Sequence, residues 1–160
     1  MRDALVTIYC DGACLGNPGP GGWAAIIIGD TVPLQEITGG EPVTTNQRME
    51  LRAALEGLRV LPAPRRVAVH SDSAYLVNCF RDRWYERWQA NGWRNAQRRP
   101  VENRDLWEAL LAEAARHAVE WHKVRGHSGV PLNERADALA VAAARDQARV
   151  ATPPGTSPAT

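Results

Sequence analysis

The hydrophobic pattern of the first forty residues predicts three strands that pair in chain order. Residues 5–10 and 23–28 are apolar runs rich in β-branched and aromatic side chains, and residues 34–38 form a weaker run of the same kind. Glycines follow each run and the connections are short. The pattern therefore predicts an antiparallel meander.

The first strand leads directly into Asp11 and a glycine-rich stretch, DGACLGNPGPGG. Its glycines and prolines rule out a following helix and predict a tight turn. An Asp-Gly pair is common in turns that have no other role. A carboxylate at the end of a core strand is nevertheless costly to bury unless a cation or hydrogen bonds satisfy it, so Asp11 is a candidate functional acid.

Beyond residue 44 the apolar residues recur at the spacing of a helix. Pro62 is expected to end this helix. Capping side chains at residues 44–46 precede it. Glu50 lies one residue before Leu51, at the edge of the apolar face, although an isolated helical acid is usually solvated. The residues that define the apolar face are Leu51, Ala54, Leu55 and Leu58.

A later apolar strand, residues 67–71, ends at Asp72 and repeats the arrangement at Asp11. The carboxyl ends of strands are where open α/β sheets place their sites. Helical spacing begins immediately afterwards, so Ser71 or Asp72 would equally serve as a helix N-cap. Both interpretations stay open on the local pattern alone.

The remaining pattern predicts a helix after residue 106, a short strand at residues 119–124, a loop that carries His127, and a last helix at residues 133–148. Asp137 lies one residue away from the apolar face of that last helix. The end of the chain is polar and proline-rich. We therefore expect one domain over residues 1–148 and a disordered tail over residues 149–160.

Residues 81–105 combine aromatic side chains with positive charge. They include three tryptophans and seven arginines against four acids, a net charge of +3. This composition suits stacking and phosphate contacts, although packing between helices explains tryptophans equally well. The whole chain carries only +1, so a nucleic-acid surface must be local.

Composition limits the number of domains and the cellular compartment that we expect for this chain. At 160 residues and 44% hydrophobic content, the chain suits a single packed domain. Its three cysteines have no zinc spacing, no signal-peptide pattern is present, and the longest apolar run is too short to span a bilayer. We expect a cytoplasmic monomer with reduced thiols and no membrane association.

Asp11, Glu50, Asp72 and Asp137 stand out together as two acids near strand ends and two at helix edges. Clustered carboxylates repel one another unless cations neutralise them, and all-oxygen ligands favour Mg²⁺ or Mn²⁺. Two such ions would clamp the attacking and leaving oxygens of a phosphodiester.

The motifs that carry these acids resemble, in order, the pattern of type 1 ribonuclease H, the bacterial ribonuclease HI. They are DGACLGNPGPGGW, TTNQRMEL, HSDSAYL, the tryptophan-rich stretch to DLWEAL, and WHKVRGHSG followed by NERADALA. The resemblance covers residues from about 5 to about 144. It implies an α/β fold with a central five-stranded mixed sheet, first three strands antiparallel, and helices on both faces.

The resemblance also implies cleavage of the RNA strand of RNA·DNA hybrids, with 5′-phosphate and 3′-hydroxyl ends. Two Mg²⁺ ions would be bound with substrate, and Mn²⁺ is a possible substitute. Asp11 would bridge both ions, Asp137 would hold the nucleophile-side ion, and Glu50 and Asp72 the other. His127 would assist proton transfer or product release.

The implied substrate contacts are Cys14, Asn17, Thr45 and Asn46 in the minor groove and along the backbone, Trp84 on the DNA strand, and Asn133 near the site. Gln47 and Ala74 depart from the family pattern, and residues 89–92 lack its lysines. We therefore expect weaker, less salt-sensitive hybrid binding.

Two other functions stay open at this point. One is a same-fold DNA nuclease of the resolvase or integrase kind, although the glycine stretch and the TTNQRME and GHSG motifs belong to the ribonuclease pattern. The other is a non-catalytic hybrid-binding module, which four unneutralised acids disfavour because they would repel a phosphate backbone.

Overall fold

The protein's structure, a computed structural model, describes residues 4–62, 64–125 and 130–151. Five strands form one mixed sheet in the order β3-β2-β1-β4-β5, with β1, β2 and β3 antiparallel and β4 and β5 parallel to β1. The predicted fold is confirmed. The strands are β1 (Leu5–Cys14), β2 (Gly19–Gly29), β3 (Val32–Thr44), β4 (Arg66–Ser71) and β5 (Ala118–Lys123).

Helices cover both faces of the sheet. Gly57 of the first helix packs on Ile8 and Ala25, whereas Ala140 and Ala144 of the last helix pack on Gly22. Successive strand residues point to opposite faces, so these two helices lie on opposite sides. The helices are α1 (Asn46–Arg59), α2 (Ala74–Arg81), α3 (Trp84–Ala90), α4 (Arg104–Arg116) and α5 (Pro131–Ala151).

The first strand does not end at Asp11, and the tight turn predicted in the glycine-rich stretch comes only after Cys14. β1 continues to Cys14, where Asp11 pairs with Ala24 and Gly12 with Trp23. A Cβ atom on Gly12 would lie 2.5 Å from the Glu50 backbone nitrogen. Glycine here permits a close approach of α1 to the sheet, and this approach brings Glu50 beside Asp11.

Thr45 and Ser73 are the N-cap residues of the first two helices. Thr45 caps α1, since its side chain accepts a hydrogen bond from the Arg48 amide. Ser73 caps α2 in the same way by accepting from the Leu76 amide at 3.2 Å. Neither Ser71 nor Asp72 is the cap, so the capping alternative for these two residues is wrong.

Packing between helices accounts for two of the three tryptophans of the arginine-rich segment. Trp88 and Trp93 are buried, and Trp88 packs against the fully buried Trp107 with ring centroids 5.4 Å apart. Trp84 is only partly buried. Arg104 lies over the Trp93 ring, 5.2 Å from its centroid.

The last helix extends past the predicted boundary. α5 continues to Ala151, so the first three residues of the expected tail are helical. His127, with the loop predicted around it, and residues 152–160 lie outside the described residues. Among the helices described, none combines the length and the apolar character that a bilayer crossing requires.

Candidate active site

Three acids converge beside the carboxyl ends of neighbouring strands. Asp11 lies in β1, Asp72 directly follows β4, and Glu50 comes from the first turns of α1. One carboxylate oxygen of each lies within 4.8 Å of the other two. β1 and β4 are parallel neighbours, so their carboxyl ends meet at the same edge of the sheet.

Asp137 joins this group from the opposite face of the sheet. It lies on α5 and, with the other three acids, lines an open cleft with a volume of about 580 Å³. Asp137 also interacts directly with the Asp11 carboxyl. The four acids predicted from the sequence therefore line one cleft, although they come from four different elements.

Backbone and side-chain donors hold the two most buried acids. Asp11 and Glu50 are each 5% exposed. The Gly12 amide donates to Asp11 Oδ1 at 2.9 Å and to Glu50 Oε1 at 3.0 Å. The Ser71 hydroxyl donates to Glu50 Oε2 at 3.5 Å. The two carboxylates are therefore oriented before any ligand binds.

Burial and mutual repulsion make the charged forms of these acids unfavourable. Burial, with the charges of Asp72 and Asp137, raises the pKa of Asp11 to about 7. Burial and the Asp11 charge raise the pKa of Glu50 well above its usual value. A buried group of hard oxygen donors whose charges repel fits a divalent cation such as Mg²⁺.

Two further cavities continue from the carboxylate cleft. One, of about 370 Å³, is lined by Asn17, Thr45, Asn46, Gln47 and Glu102. The other, of about 540 Å³, includes Gln47, Trp84, Arg87, Trp88, Arg99 and Glu102 in its lining. Gln47 lines all three cavities. The cleft therefore opens onto a longer groove that ends at an aromatic and arginine-rich wall.

Five of the residues expected to contact substrate line this groove, namely Cys14, Asn17, Thr45, Asn46 and Trp84. Cys14 and Asn46 line the carboxylate cleft, and the Asn17 side chain accepts a hydrogen bond from the Asn46 amide at 2.8 Å. This bond joins the β1–β2 turn to the start of α1. Asn133 lies one helical turn before Asp137 and is only 3% exposed, so its surroundings are those of a buried residue.

Sequence reasoning missed three groups at the site. The Gly12 amide and the Ser71 hydroxyl orient Glu50, as described above. Arg48 makes a two-fold hydrogen bond to Asp105 at 3.0 and 2.8 Å and an ion pair with Glu41 at 3.3 Å. It thereby joins α1 to α4 and β3. No local pattern indicates these contacts, because each joins segments that are far apart in the chain.

Known proteins resemble this chain over nearly its whole length. Residues 3–145 match the model of the RNase H family. A ribonuclease H of Moorella thermoacetica is 60% identical over 139 residues, which cover 86% of this chain and 90% of the relative.

Solved structures agree with this similarity. LC9-RNase H1, described as a type 1 RNase H with the type 2 active-site motif, has a TM-score of 0.80 at 36% identity, covering 92% of this chain and 75% of the other. LC11-RNase H1 in complex with an RNA/DNA hybrid has a TM-score of 0.64 at 18% identity, covering 90% and 99%. At 18% identity, the similarity to LC11-RNase H1 concerns the fold alone.

Proposed function

Because the chain belongs to the RNase H family, we propose that it is an endonuclease that hydrolyses the RNA strand of RNA·DNA hybrids with divalent cations. The products would carry 5′-phosphate and 3′-hydroxyl ends. The observation that carries this proposal is the convergence of four acids in one cleft, three of them with ligand oxygens within 4.8 Å of one another.

The residues present fit divalent cations of the Mg²⁺ type, with Mn²⁺ as a substitute. Asp11 and Glu50 are nearly fully buried, and burial together with the Asp11 charge raises the pKa of Glu50, a cost that bound cations remove. Asp11 would contribute to both of two ions, Asp137 to one, and Glu50 and Asp72 to the other. When bound, such ions supply Lewis acidity and neutralise phosphate charge.

The chain's own part of the chemistry is orientation. The Gly12 amide donates to one oxygen each of Asp11 and Glu50, so both side chains are oriented before substrate binds. Preorganised ligands lower the cost of reaching the reactive geometry. The scissile phosphate of the RNA strand would lie in the carboxylate cleft, against Asp11 and Asp72.

The groove supports recognition of a mixed duplex. Cys14, Asn17, Thr45 and Asn46 present polar groups on the side of the carboxylate cleft, where they would meet minor-groove edges and 2′-hydroxyls. A deoxy strand would leave such groups without partners. Trp84 lies beyond them with arginines nearby, which suits stacking on deoxyribose and contact with DNA phosphates.

His127 and Asn133 complete the proposed site. His127 precedes α5 in the chain, outside the described residues, and would assist proton transfer or product release. Asn133 would support the start of α5 near Asp137. We also expect the protein to work as a cytoplasmic monomer, which sedimentation of the purified chain and cell fractionation would test.

A strand-labelled cleavage assay tests the proposal. Wild-type protein should cut only the RNA strand of a hybrid, require Mg²⁺ or Mn²⁺, and lose activity in EDTA. DNA duplex of the same sequence is the control substrate. Preferential cutting of DNA duplex would support a same-fold DNA nuclease. Tight hybrid binding in EDTA, without turnover under any divalent metal, would support a binding module.

A further inference from the structure

We propose that Ser71 is a positioning residue for Glu50, and through Glu50 for the cation that Glu50 and Asp72 would hold. The inference rests on the proposed function. Ser71 is the last residue of β4 and its side chain is fully buried. A buried hydroxyl needs hydrogen-bond partners, and those of Ser71 belong to the metal-ligating part of the site.

Ser71 makes two hydrogen bonds beside the carboxylate cleft. The Ser73 amide donates to Ser71 Oγ at 3.1 Å. The Ser71 hydroxyl donates to Glu50 Oε2 at 3.5 Å. The other oxygen, Glu50 Oε1, accepts from the Gly12 amide at 3.0 Å. β1 and β4 therefore hold one oxygen each of the same carboxylate.

The neighbouring thiol does not duplicate this role. Cys10 is buried beside the acids, but its Sγ donates to the His70 carbonyl at 3.6 Å. Within the parts of the chain that the structure describes, the Gly12 amide and the Ser71 hydroxyl are the hydrogen-bond donors to the Glu50 carboxylate. Loss of the Ser71 hydroxyl would leave Oε2 without its donor.

One hydroxyl thus acts on two ligands. It orients Glu50 directly, and its bond from the Ser73 amide closes the short turn that presents Asp72. Groups that hydrogen-bond to metal ligands set the ligand orientation, and their removal typically reduces metal affinity about 10- to 100-fold. Ser71→Ala should therefore weaken cation binding without altering the groove that contacts the hybrid.

Direct cation binding by the full chain tests this role without relying on turnover. Mn²⁺ affinity would be measured by electron paramagnetic resonance for wild type, Ser71→Ala, Ser71→Thr and Leu110→Ala. Ser71→Ala should weaken Mn²⁺ binding about 10- to 100-fold, and Ser71→Thr should restore it. Leu110→Ala is the control, because it truncates a fully buried side chain of α4 that does not line the carboxylate cleft. It should lower thermal stability and leave Mn²⁺ affinity unchanged.

Activity supplies a second measurement. At saturating hybrid, Ser71→Ala should need about 10- to 100-fold more Mg²⁺ for half-maximal rate, with the KM for hybrid unchanged. If Ser71→Ala does not fold, Ser71→Cys, which is similar in shape and a weaker donor, carries the same test with a smaller loss.

The outcomes separate this inference from the proposed function. Wild-type protein that binds no Mn²⁺ would contradict the function itself. Wild-type binding with an unchanged affinity in Ser71→Ala, or a loss that Ser71→Thr does not restore, would overturn the role of the Ser71 hydroxyl alone.

Discussion

At Asp11, the energetic cost of burial and the capacity to bind a cation have the same origin. The side chain is 5% exposed and lies beside Glu50, Asp72 and Asp137. Its surroundings disfavour a negative charge, and a divalent cation relieves that penalty. A residue with this environment contributes to function and reduces the stability of the metal-free fold.

The first prediction concerns activity. Asp11→Asn should abolish hybrid cleavage, with a rate loss of at least about 1000-fold, because a neutral amide cannot bridge two cations. Hybrid binding measured by fluorescence anisotropy should remain within a few-fold of wild type. Asp137→Asn should also be severe, and His127→Ala milder. Turnover near the wild-type rate in Asp11→Asn would contradict the proposed site.

The second prediction concerns pH. The folded chain raises the pKa of Asp11 to about 7, so between about pH 4 and 7 the unfolded chain binds fewer protons than the folded one. The free energy of unfolding without metal should therefore fall as the pH rises through that window. Asp11→Asn removes this penalty and should stabilise the metal-free protein by on the order of 2 kcal/mol near pH 7.5.

Urea unfolding in EDTA measures this effect. The gain from Asp11→Asn should shrink toward pH 4, where the carboxyl is protonated in the folded chain and about half protonated in the unfolded chain. Asp30→Asn, at an exposed turn residue, is the control and should change stability little. A gain that is as large at pH 4 as at pH 7.5 would contradict the electrostatic explanation.

At the scale of elements, glycines determine how closely the helices approach the sheet. A Cβ atom on Gly12 would lie 2.5 Å from the α1 backbone at Glu50, and one on Gly22 would lie 2.4 Å from the α5 backbone at Ala140. Gly12 of β1 pairs with Trp23 of β2, and Gly22 of β2 pairs with Ala13 of β1. The two helices that carry Glu50 and Asp137 are therefore seated on the sheet through glycines near Asp11.

The third prediction follows from this seating. Gly22→Ala should push α5 away from the sheet and move Asp137 relative to Asp11, because neither backbone atom beside the new methyl group can yield easily. We expect a loss of about 1–3 kcal/mol in stability together with a fall in kcat of at least tenfold.

Leu110→Ala is the matched control for that variant. Leu110 is fully buried in α4, away from α5, and its truncation should cost about 2–5 kcal/mol. Under conditions in which both variants are folded, Leu110→Ala should keep nearly wild-type kcat. Equal kcat losses in the two variants would indicate a general stability effect.

For the whole molecule, charge is distributed so that binding depends on a local surface. The chain carries only +1 overall, while Arg87 and Arg99 line the cavity of about 540 Å³ that also contains Trp84. Glu102 lines both this cavity and the cavity of about 370 Å³ beside Asn17. A carboxylate at that position repels the phosphate backbone of any duplex that occupies the groove.

The fourth prediction tests this balance. Glu102→Gln should tighten hybrid binding about 2- to 5-fold near 50 mM salt, with a smaller gain at about 200 mM, because salt screens the repulsion. Arg99→Gln should weaken binding and reduce the slope of log K against log salt by about 1. Glu120→Gln, on β5 and outside the groove linings, is the control and should leave affinity unchanged. Stronger binding in Glu120→Gln than in Glu102→Gln would contradict the local explanation.

The salt slope of hybrid binding also tests the effect of the lysine-poor residues 89–92. Residues 89–92 read QANG instead of consecutive lysines, so hybrid binding should be weaker and less salt-sensitive than that of a lysine-rich family member. Binding of both proteins to one hybrid across a salt series would measure the difference. A slope here that is equal to or steeper than that of the lysine-rich protein would contradict it.

Sequence alone determined the features that depend on local chemistry. Apolar periodicity located the strands and helices, Thr45 was among the residues expected to cap α1, and the motifs around the four acids indicated the family. It also placed Glu50 at the edge of a buried face. Local pattern suffices for such features because a side chain's periodicity and its nearest backbone partners are set within one or two turns of the chain.

Tertiary structure alone decided how those acids are held. It kept Asp11 inside β1 and buried Glu50 between the Gly12 amide and the Ser71 hydroxyl. Each of these outcomes depends on the distance between segments that are tens of residues apart. That distance is set by the packing of helices against a sheet, which no local pattern specifies.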